Sequence, residues 1–333
     1  MTDADGRPLS AAAVLRCLLV ITGVTVIAGL LVAGLLLPPV AGIGLVGKAS
    51  ADHFLALPTE LVEPPLPQDS RILAADGSVI AVLRGPANRR PVPFREIPKS
   101  LRDAVVAIED SRFYTHNGVD PQGLLRAALR NTEAGGVKQG GSTLTQQYVK
   151  NVLIEQAPTD QERKEAASRS IDRKLREARY ALALERRLTK DQILERYLNI
   201  AYFGSGGYGV GVAAQRYFDR PVSRLTLAQS ALLAGLVQSP GNYDPYRYPD
   251  TAVRRRDVVL RRMAELGMIT QPQAAAAQAA PLGVVQAPPS NTPDACEPSP
   301  APFFCDYVRR SLRADPALGA TQEERDRRVY QGG

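Results

Sequence analysis

From Cys17 to Leu37 the chain carries no charged residue. At ~1.5 Å per residue, a helix of that length crosses a ~30 Å hydrocarbon layer. Pro38-Pro39 is expected to end it. A cleaved leader is the competing reading, with Ala49-Ser50-Ala51 as its cut site. A leader's apolar stretch runs to only about 7–15 residues, so length favours a retained anchor. Beyond it, Pro58, Pro64, Pro65 and Pro67 predict an extended lead-in. Two apolar runs within Arg71–Leu83, joined at Asp76-Gly77, predict a hairpin. From Ser100 to about residue 280 the pattern is helical. Leu101, Ala104, Val105 and Ile108 share one face, behind Ser100-Leu-Arg-Asp103, which reads as a capping box. Further helices are expected over Pro121–Asn131, Leu144–Ile154, the stretch containing Arg173–Arg179, Ile193–Ile200, Ser230–Val237 and Asp250–Gly267. Capping boxes at Thr189–Gln192 and Thr226–Gln229 start two of them. Residues 155–167 read as a polar, mobile connector, residues 281–302 as a Pro-rich linker, and Phe303–Leu312 as a short element. The chain is therefore expected to be mainly α, behind one transmembrane helix and a small β-hairpin lead-in.

Composition narrows the partners. A length of 333 residues suits about two domains, or one large domain with appendages. A net charge of +7 favours an anionic partner: phospholipid, pyrophosphate or nucleic acid. Tryptophan is absent and no run has the RNA-binding aromatic pattern, so nucleic acid ranks last. Cys296 and Cys305 have no ligand cluster beside them, which argues against zinc. They are either two unrelated thiols or, outside the cytoplasm, a short-loop disulfide, the reading that the anchor favours. Arg7 and Arg16 place the N-terminal tail inside, although Asp3 and Asp5 accompany them and Lys48 lies beyond the span.

Four features carry candidate chemistry. Glu109 and Asp110 stand together at the end of a buried-face helix, where the negative end of the macrodipole should raise a carboxylate's pKa. That suits a general base near neutral pH; a solvated acidic helix end is the plainer reading. Next, the glycines of Gly135–Gly141 open a helix and can offer free N–H groups to a phosphate, though no P-loop ending follows. Thr143, Gln147, Lys150 and Asn151 then share a stripe, either an anion lining or an ordinary polar face. Arg173 and Glu177 are spaced as a surface ion pair, or as an acid held among cations. Finally, Arg254-Arg-Arg256 and Arg261-Arg262 read as a solvated face near anionic head groups, and Ala201–Gly211 as a Gly/aromatic loop suited to close backbone contacts beside a cleft.

In order, Glu109-Asp-Ser-Arg-Phe113-Tyr-Thr-His116, Gly140-Gly-Ser-Thr-Leu-Thr-Gln-Gln-Tyr-Val-Lys150-Asn, Arg173-Lys-Leu-Arg-Glu177, Lys190-Asp-Gln-Ile-Leu-Glu-Arg-Tyr-Leu-Asn199 and Ala231-Leu-Leu-Ala-Gly-Leu-Val-Gln-Ser-Pro240 resemble the five motifs of the peptidoglycan glycosyltransferase domain of class A penicillin-binding proteins. The resemblance covers roughly residues 95–270. It implies a lysozyme-like fold that polymerises lipid II on the outer face of the cytoplasmic membrane, with inversion and loss of undecaprenyl pyrophosphate. It makes Glu109 and Glu177 the catalytic acids, Glu109 as general base. Asp110, Phe113 and His116 would shape the donor–acceptor junction, and Thr143, Gln147 and Asn151 would line the cleft. Lys150, Arg173 and Lys174 would relieve the leaving group's charge. Glu177 would position the pyrophosphate or its divalent ion, Mg or Mn; no metal ligand is firmly assigned and no organic cofactor is expected. Partners would be lipid II, the growing glycan strand, the membrane and proteins of wall elongation or division.

The implied organisation is a cytoplasmic tail at 1–16, a transmembrane helix at 17–37, a lead-in at 38–94, the glycosyltransferase domain at 95–280 and a connector at 281–333. The Ser-x-x-Lys, Ser-x-Asn and Lys-Thr-Gly motifs of a transpeptidase do not occur. A fragment of a longer protein, or a truncated product, is therefore expected, without penicillin binding. A lytic or hydrolytic peptidoglycan enzyme and a non-catalytic wall scaffold are the rival readings.

Overall fold

The computed structural model describes residues 11–85, 87, 89–133, 141–157, 159–168, 170–286 and 296–332. The chain divides into two units, residues 1–57 and 58–333. In the first, helix α1 runs Ala11–Ala56. It includes Val14–Val32, 19 residues of mean hydropathy 2.4, long and apolar enough to cross a membrane. The stop expected at Pro38-Pro39 does not occur. Each proline withholds an N–H from the ladder and crowds the turn before it, yet the helix continues through both. The tail residues Asp3, Asp5 and Arg7 lie outside the described residues.

The second unit begins extended and enters the predicted hairpin, β1 (Ser70–Leu73) against β2 (Val79–Leu83), antiparallel with an irregularity at Ile72/Leu73. Asp76 Oδ1 accepts the Ser78 N–H at 2.9 Å, closing the turn. Among the described residues ten α-helices follow: α2 (Lys99–Glu109), α3 (Pro121–Glu133), α4 (Leu144–Gln156), α5 (Asp160–Ala167), α6 (Ile171–Leu184), α7 (Lys190–Ile200), α8 (Val210–Phe218), α9 (Leu227–Leu236), α10 (Pro249–Glu265) and α11 (Gln271–Ala279). A C-terminal pair completes the unit, α12 (Pro302–Ala314) and α13 (Gln322–Gln331).

Helix α9 is apolar all round and buried from Ala228 to Leu236, the signature of a central core helix. Helices α2 and α10 pack on it. Leu101, Ala104 and Val105 of α2, Leu144, Val149 and Val152 of α4, and Ile193, Leu194, Tyr197 and Leu198 of α7 join the same core.

The capping boxes at Thr189/Gln192 and Thr226/Gln229 are present. The one expected at Ser100 is not. Helix α2 starts two residues earlier, after Pro98, with no side-chain cap. Ser100 therefore lies inside the first turn, where its Oγ meets Ser230 Oγ of α9 at 2.9 Å, while Asp103 takes the Lys99 ammonium at 2.5 Å. Nor is 155–167 only a connector: a box of Thr159 and Glu162 starts α5 there, because Thr-x-x-Glu satisfies two otherwise orphaned amides.

The lead-in hairpin and the C-terminal segment share a small separate core. Ile72, Ile80, Ala81 and Leu83 pack with Cys296, Cys305 and Val329. Cys296 and Cys305 form a disulfide, and Gln68 bridges to Gly332. Residues 281–286 take no regular structure, while 287–295 of the expected linker lie outside the described residues. Cutting the disulfide with Cys296→Ser/Cys305→Ser is expected to cost this small core about 2–3 kcal/mol. Hydrogen exchange should then accelerate at Ile80–Leu83 and leave α9 unchanged; equal acceleration in α9 would show that the two cores unfold together.

Candidate active site

Helix α2 ends at Glu109 because Asp110 leaves the helical region, at φ −156 and ψ 75. The buried Asp110 carboxylate then works on two partners through one oxygen. Its Oδ2 meets His116 Nε2 at 2.9 Å and accepts the Leu144 N–H at 3.0 Å. Glu109 is thereby tied to the first turn of α4. Thr143 caps that turn. Its Oγ1 accepts the Gln146 N–H at 3.2 Å and donates to the Gly118 carbonyl at 2.6 Å. Gly118 has φ +75, and a Cβ there would stand 2.8 Å from the Ala181 carbonyl carbon, so only glycine lets this loop lie against α6.

Amides expected to await a phosphate at this helix start are thus already engaged. Leu144 donates to Asp110 and Gln146 to Thr143. Residues 134–140 of the glycine loop lie outside the described residues.

Side chains from two helices, α4 and α7, orient Glu109. Gln147 Nε2 donates to Glu109 Oε2 at 2.9 Å, and Gln147 Oε1 accepts from the fully buried Tyr197 hydroxyl at 3.0 Å. Glu109 Oε1 has no hydrogen-bond partner among the described residues. Burial pushes the Glu109 carboxyl above its ordinary value, with the neighbouring Asp110 charge adding to it, while the Gln147 hydrogen bond and Arg255 pull it back. Desolvation, rather than the expected helix macrodipole, is the leading cause.

The second acid is not on the surface. Glu177 is fully buried, and its two oxygens divide between cations. Oε1 pairs with the buried Arg173 guanidinium, four residues back. Oε2 takes Lys174 Nζ at 2.8 Å, and the same ammonium reaches Ser142 Oγ at 2.8 Å. Two cations on one carboxylate leave a net positive group, and the Lys174 side chain is 46% exposed.

These groups line one open cleft of about 1330 Å³. Glu109, Asp110, Thr143, Gln147, Lys150, Asn151, Arg173, Lys174 and Glu177 all contribute. Phe113 and His116 do not line it. Both are buried, with Phe113 covered by Lys190 Nζ at 4.6 Å from its ring centre and His116 holding Asp110. The cleft also takes Arg255, Val258, Arg261, Arg262 and Glu265 from α10. That corrects the reading of this arginine run as a solvated face. Arg255 donates to the Gly235 carbonyl at 3.1 Å, Arg262 reaches Ser111 Oγ at 3.4 Å, and Arg256 is buried against the end of α11. Positions 255, 258, 262 and 265 recur at helical spacing, a signal the sequence carried. Tyr197 lay within the fourth motif without being singled out.

A divalent ion finds a poor donor set here. Glu177 already spends both oxygens on cations. No group of three or more His, Cys, Asp or Glu stands together among the described residues.

Because burial places the folded-state pKa of Glu109 above its unfolded value of about 4.3, its charge costs stability as pH rises through that interval. Glu109→Gln is therefore expected to melt higher than the parent at neutral pH, with the gain shrinking as pH falls to about 4. A scan of Tm against pH checks this; a variant that melts lower at neutral pH contradicts the burial argument.

A family model described as transglycosylase matches residues 76–264. Penicillin-binding protein 1F of Bacillus subtilis is 37% identical over 75% of this chain and 33% of its own length. Penicillin-binding protein 1A of Escherichia coli is 43% identical over 64% of this chain and 25% of its own. The corresponding Mycolicibacterium smegmatis protein is 44% identical over 62% and 25%. A crystal structure of penicillin-binding protein 1A from Haemophilus influenzae aligns with a TM-score of 0.42 at 22% identity, over 82% of this chain and 26% of that one. The chain spans a third or less of the length of these relatives. With the matched model covering more than half of its residues, the chain belongs to the transglycosylase family.

Proposed function

We propose that this chain is a peptidoglycan glycosyltransferase that polymerises lipid II. The observation that carries the proposal is a half-buried carboxylate of raised pKa, Glu109, one oxygen held and one without a partner among the described residues, in a cleft whose lining includes seven Lys and Arg side chains against five Asp and Glu. Glu109 Oε1 takes the proton of the acceptor sugar's 4-hydroxyl. The acceptor's 4-oxygen attacks the anomeric carbon of the donor strand, and the bond from this carbon to the pyrophosphate oxygen breaks with the electron pair leaving on undecaprenyl pyrophosphate. Attack opposite the leaving group inverts the centre.

Charge develops on the departing pyrophosphate, so preorganised cations beside it lower the barrier. Lys150, Arg173 and Lys174 fill that role. Glu177 keeps Arg173 and Lys174 in place and acts on the substrate through them, which makes it a positioning residue. Helix α1 anchors the enzyme in the cytoplasmic membrane with the catalytic unit outside, beside a substrate that is itself a lipid.

Labelled lipid II, resolved by chain length, tests this directly. The parent should make long strands that a muramidase digests, and Glu109→Gln should lose about 10²–10⁴-fold in rate. Soluble muropeptides as product would point to a lytic enzyme, and binding without polymer to a scaffold. As a base, Glu109 works only when ionised. The kcat/KM profile of the parent should therefore fall on the acid side through a pKa above the usual glutamate value of about 4.3. A profile flat down to that value sinks the assignment of the base.

A further inference from the structure

A second feature of the cleft is an exposed aromatic ring that the local backbone holds out. Two tyrosines line the cleft, and they differ. Tyr197 is fully buried, whereas Tyr202 is 40% exposed. Tyr202 begins a tight loop in which Phe203 N–H bonds the Gly207 carbonyl at 2.8 Å and Gly209 N–H bonds the Ala201 carbonyl at 2.8 Å. Its hydroxyl accepts the Gly206 N–H at 3.3 Å. Ser205 holds the left-handed region at φ 46, unfavourable for a residue with a Cβ, and its Oγ is tied to the buried Asp244 at 2.8 Å.

The ring is also buttressed from behind. Tyr208 packs against Tyr202 with centroids 4.5 Å apart and ring planes tilted by 37°. Arg89 lies over Tyr208 at 5.2 Å, is itself 2% exposed, and pairs with Glu155 of α4 at 2.5 Å. The packed series Arg89–Tyr208–Tyr202 therefore runs from the Arg89–Glu155 ion pair to the cleft wall. Such packing limits the ring's freedom before any ligand arrives, so little entropy remains to be lost on binding.

An exposed apolar ring in a cleft of charged and amide groups needs a ligand with an apolar face among polar groups. Pyranose rings have this character: axial C–H bonds on one face, hydroxyls and amides at the rim. Aromatic faces carry the negative quadrupole that attracts such C–H edges. We propose that Tyr202 is a saccharide-stacking platform for the glycan strand, independent of the lipid and the pyrophosphate. The proposal rests on the reading of this cleft as a glycan site, and it makes Tyr202 a substrate-contacting residue that the motif analysis did not single out.

The chain contains no tryptophan, so Tyr202→Trp introduces a single indole reporter. The probe is a soluble tetrasaccharide of alternating N-acetylglucosamine and N-acetylmuramic acid, without lipid or pyrophosphate. Its titration should give a saturable change in indole emission. By calorimetry, Tyr202→Ala should bind about tenfold more weakly than the parent, and Tyr202→Phe within about twofold. Should the alanine variant fail to fold, Tyr202→Leu fills the space without an aromatic face and should show the same loss. Unchanged affinity in the alanine or leucine variant overturns the proposal. So does a phenylalanine loss as large as that of alanine, which would assign the effect to the hydroxyl, or a parent with no affinity for the tetrasaccharide. A parent that binds it through Tyr202 yet makes no polymer from lipid II would instead overturn the polymerase reading and leave this one standing.

Discussion

One carboxylate oxygen holds the cleft together. Asp110 Oδ2 receives both His116 and the Leu144 amide, and so joins the end of α2 to the start of α4. Glu109 stands immediately before it, and Gln147, Lys150 and Asn151 project from the first turns after it. Removing the Asp110 carboxylate would leave the Leu144 N–H buried without an acceptor, at a cost of about 1–3 kcal/mol. The larger effect would be on register, since the distance between Glu109 and Gln147 depends on that joint. Phe113 and His116 serve the same joint from behind the cleft wall.

Electrostatic arrangement follows a similar logic. A buried carboxylate is costly unless its lone pairs are matched, and Glu177 is matched by two cations rather than one. The excess charge stays at the cleft through the half-exposed Lys174. Glu109 is treated in the opposite way. It keeps one oxygen without a partner among the described residues and is raised by desolvation, so the fold gives up stability where a proton acceptor is required. Two carboxylates in one cleft are thus set apart by their neighbours: one is locked in ion pairs, the other left with a site for a proton.

The second core shows how the chain's two flanks depend on each other. A two-stranded hairpin alone is marginal in water. Here β2 buries Ile80 and Leu83 against the disulfide and Val329. The lead-in also grips the larger core directly, with Glu63 accepting the Tyr148 hydroxyl at 2.7 Å and Arg89 clamped between Glu155 and Tyr208.

Local pattern was enough for what depends on neighbours a few residues away. The apolar run of α1, the hairpin turn at Asp76-Gly77, the central helix α9 and the boxes at Thr189 and Thr226 rest on propensity, periodicity and short-range hydrogen bonds. Where those signals misled, a distant group had intervened. Ser100 lies inside α2 and meets Ser230 of α9, and the Leu144 amide at the start of α4 is taken by Asp110, thirty-four positions away. The arginines of α10 read as solvated because a charge run looks alike on any exposed face. Only packing against α9 turns Arg255 and Arg262 toward Glu109's cleft. The Arg173–Glu177 spacing fits a surface pair equally well, and burial alone decides that it is an internal ion cluster. Sequence by itself determined most of the core helices and which residue types could do the chemistry; tertiary structure decided which of them meet, because burial, and with it the pKa of Glu109, is set by groups far apart in the chain.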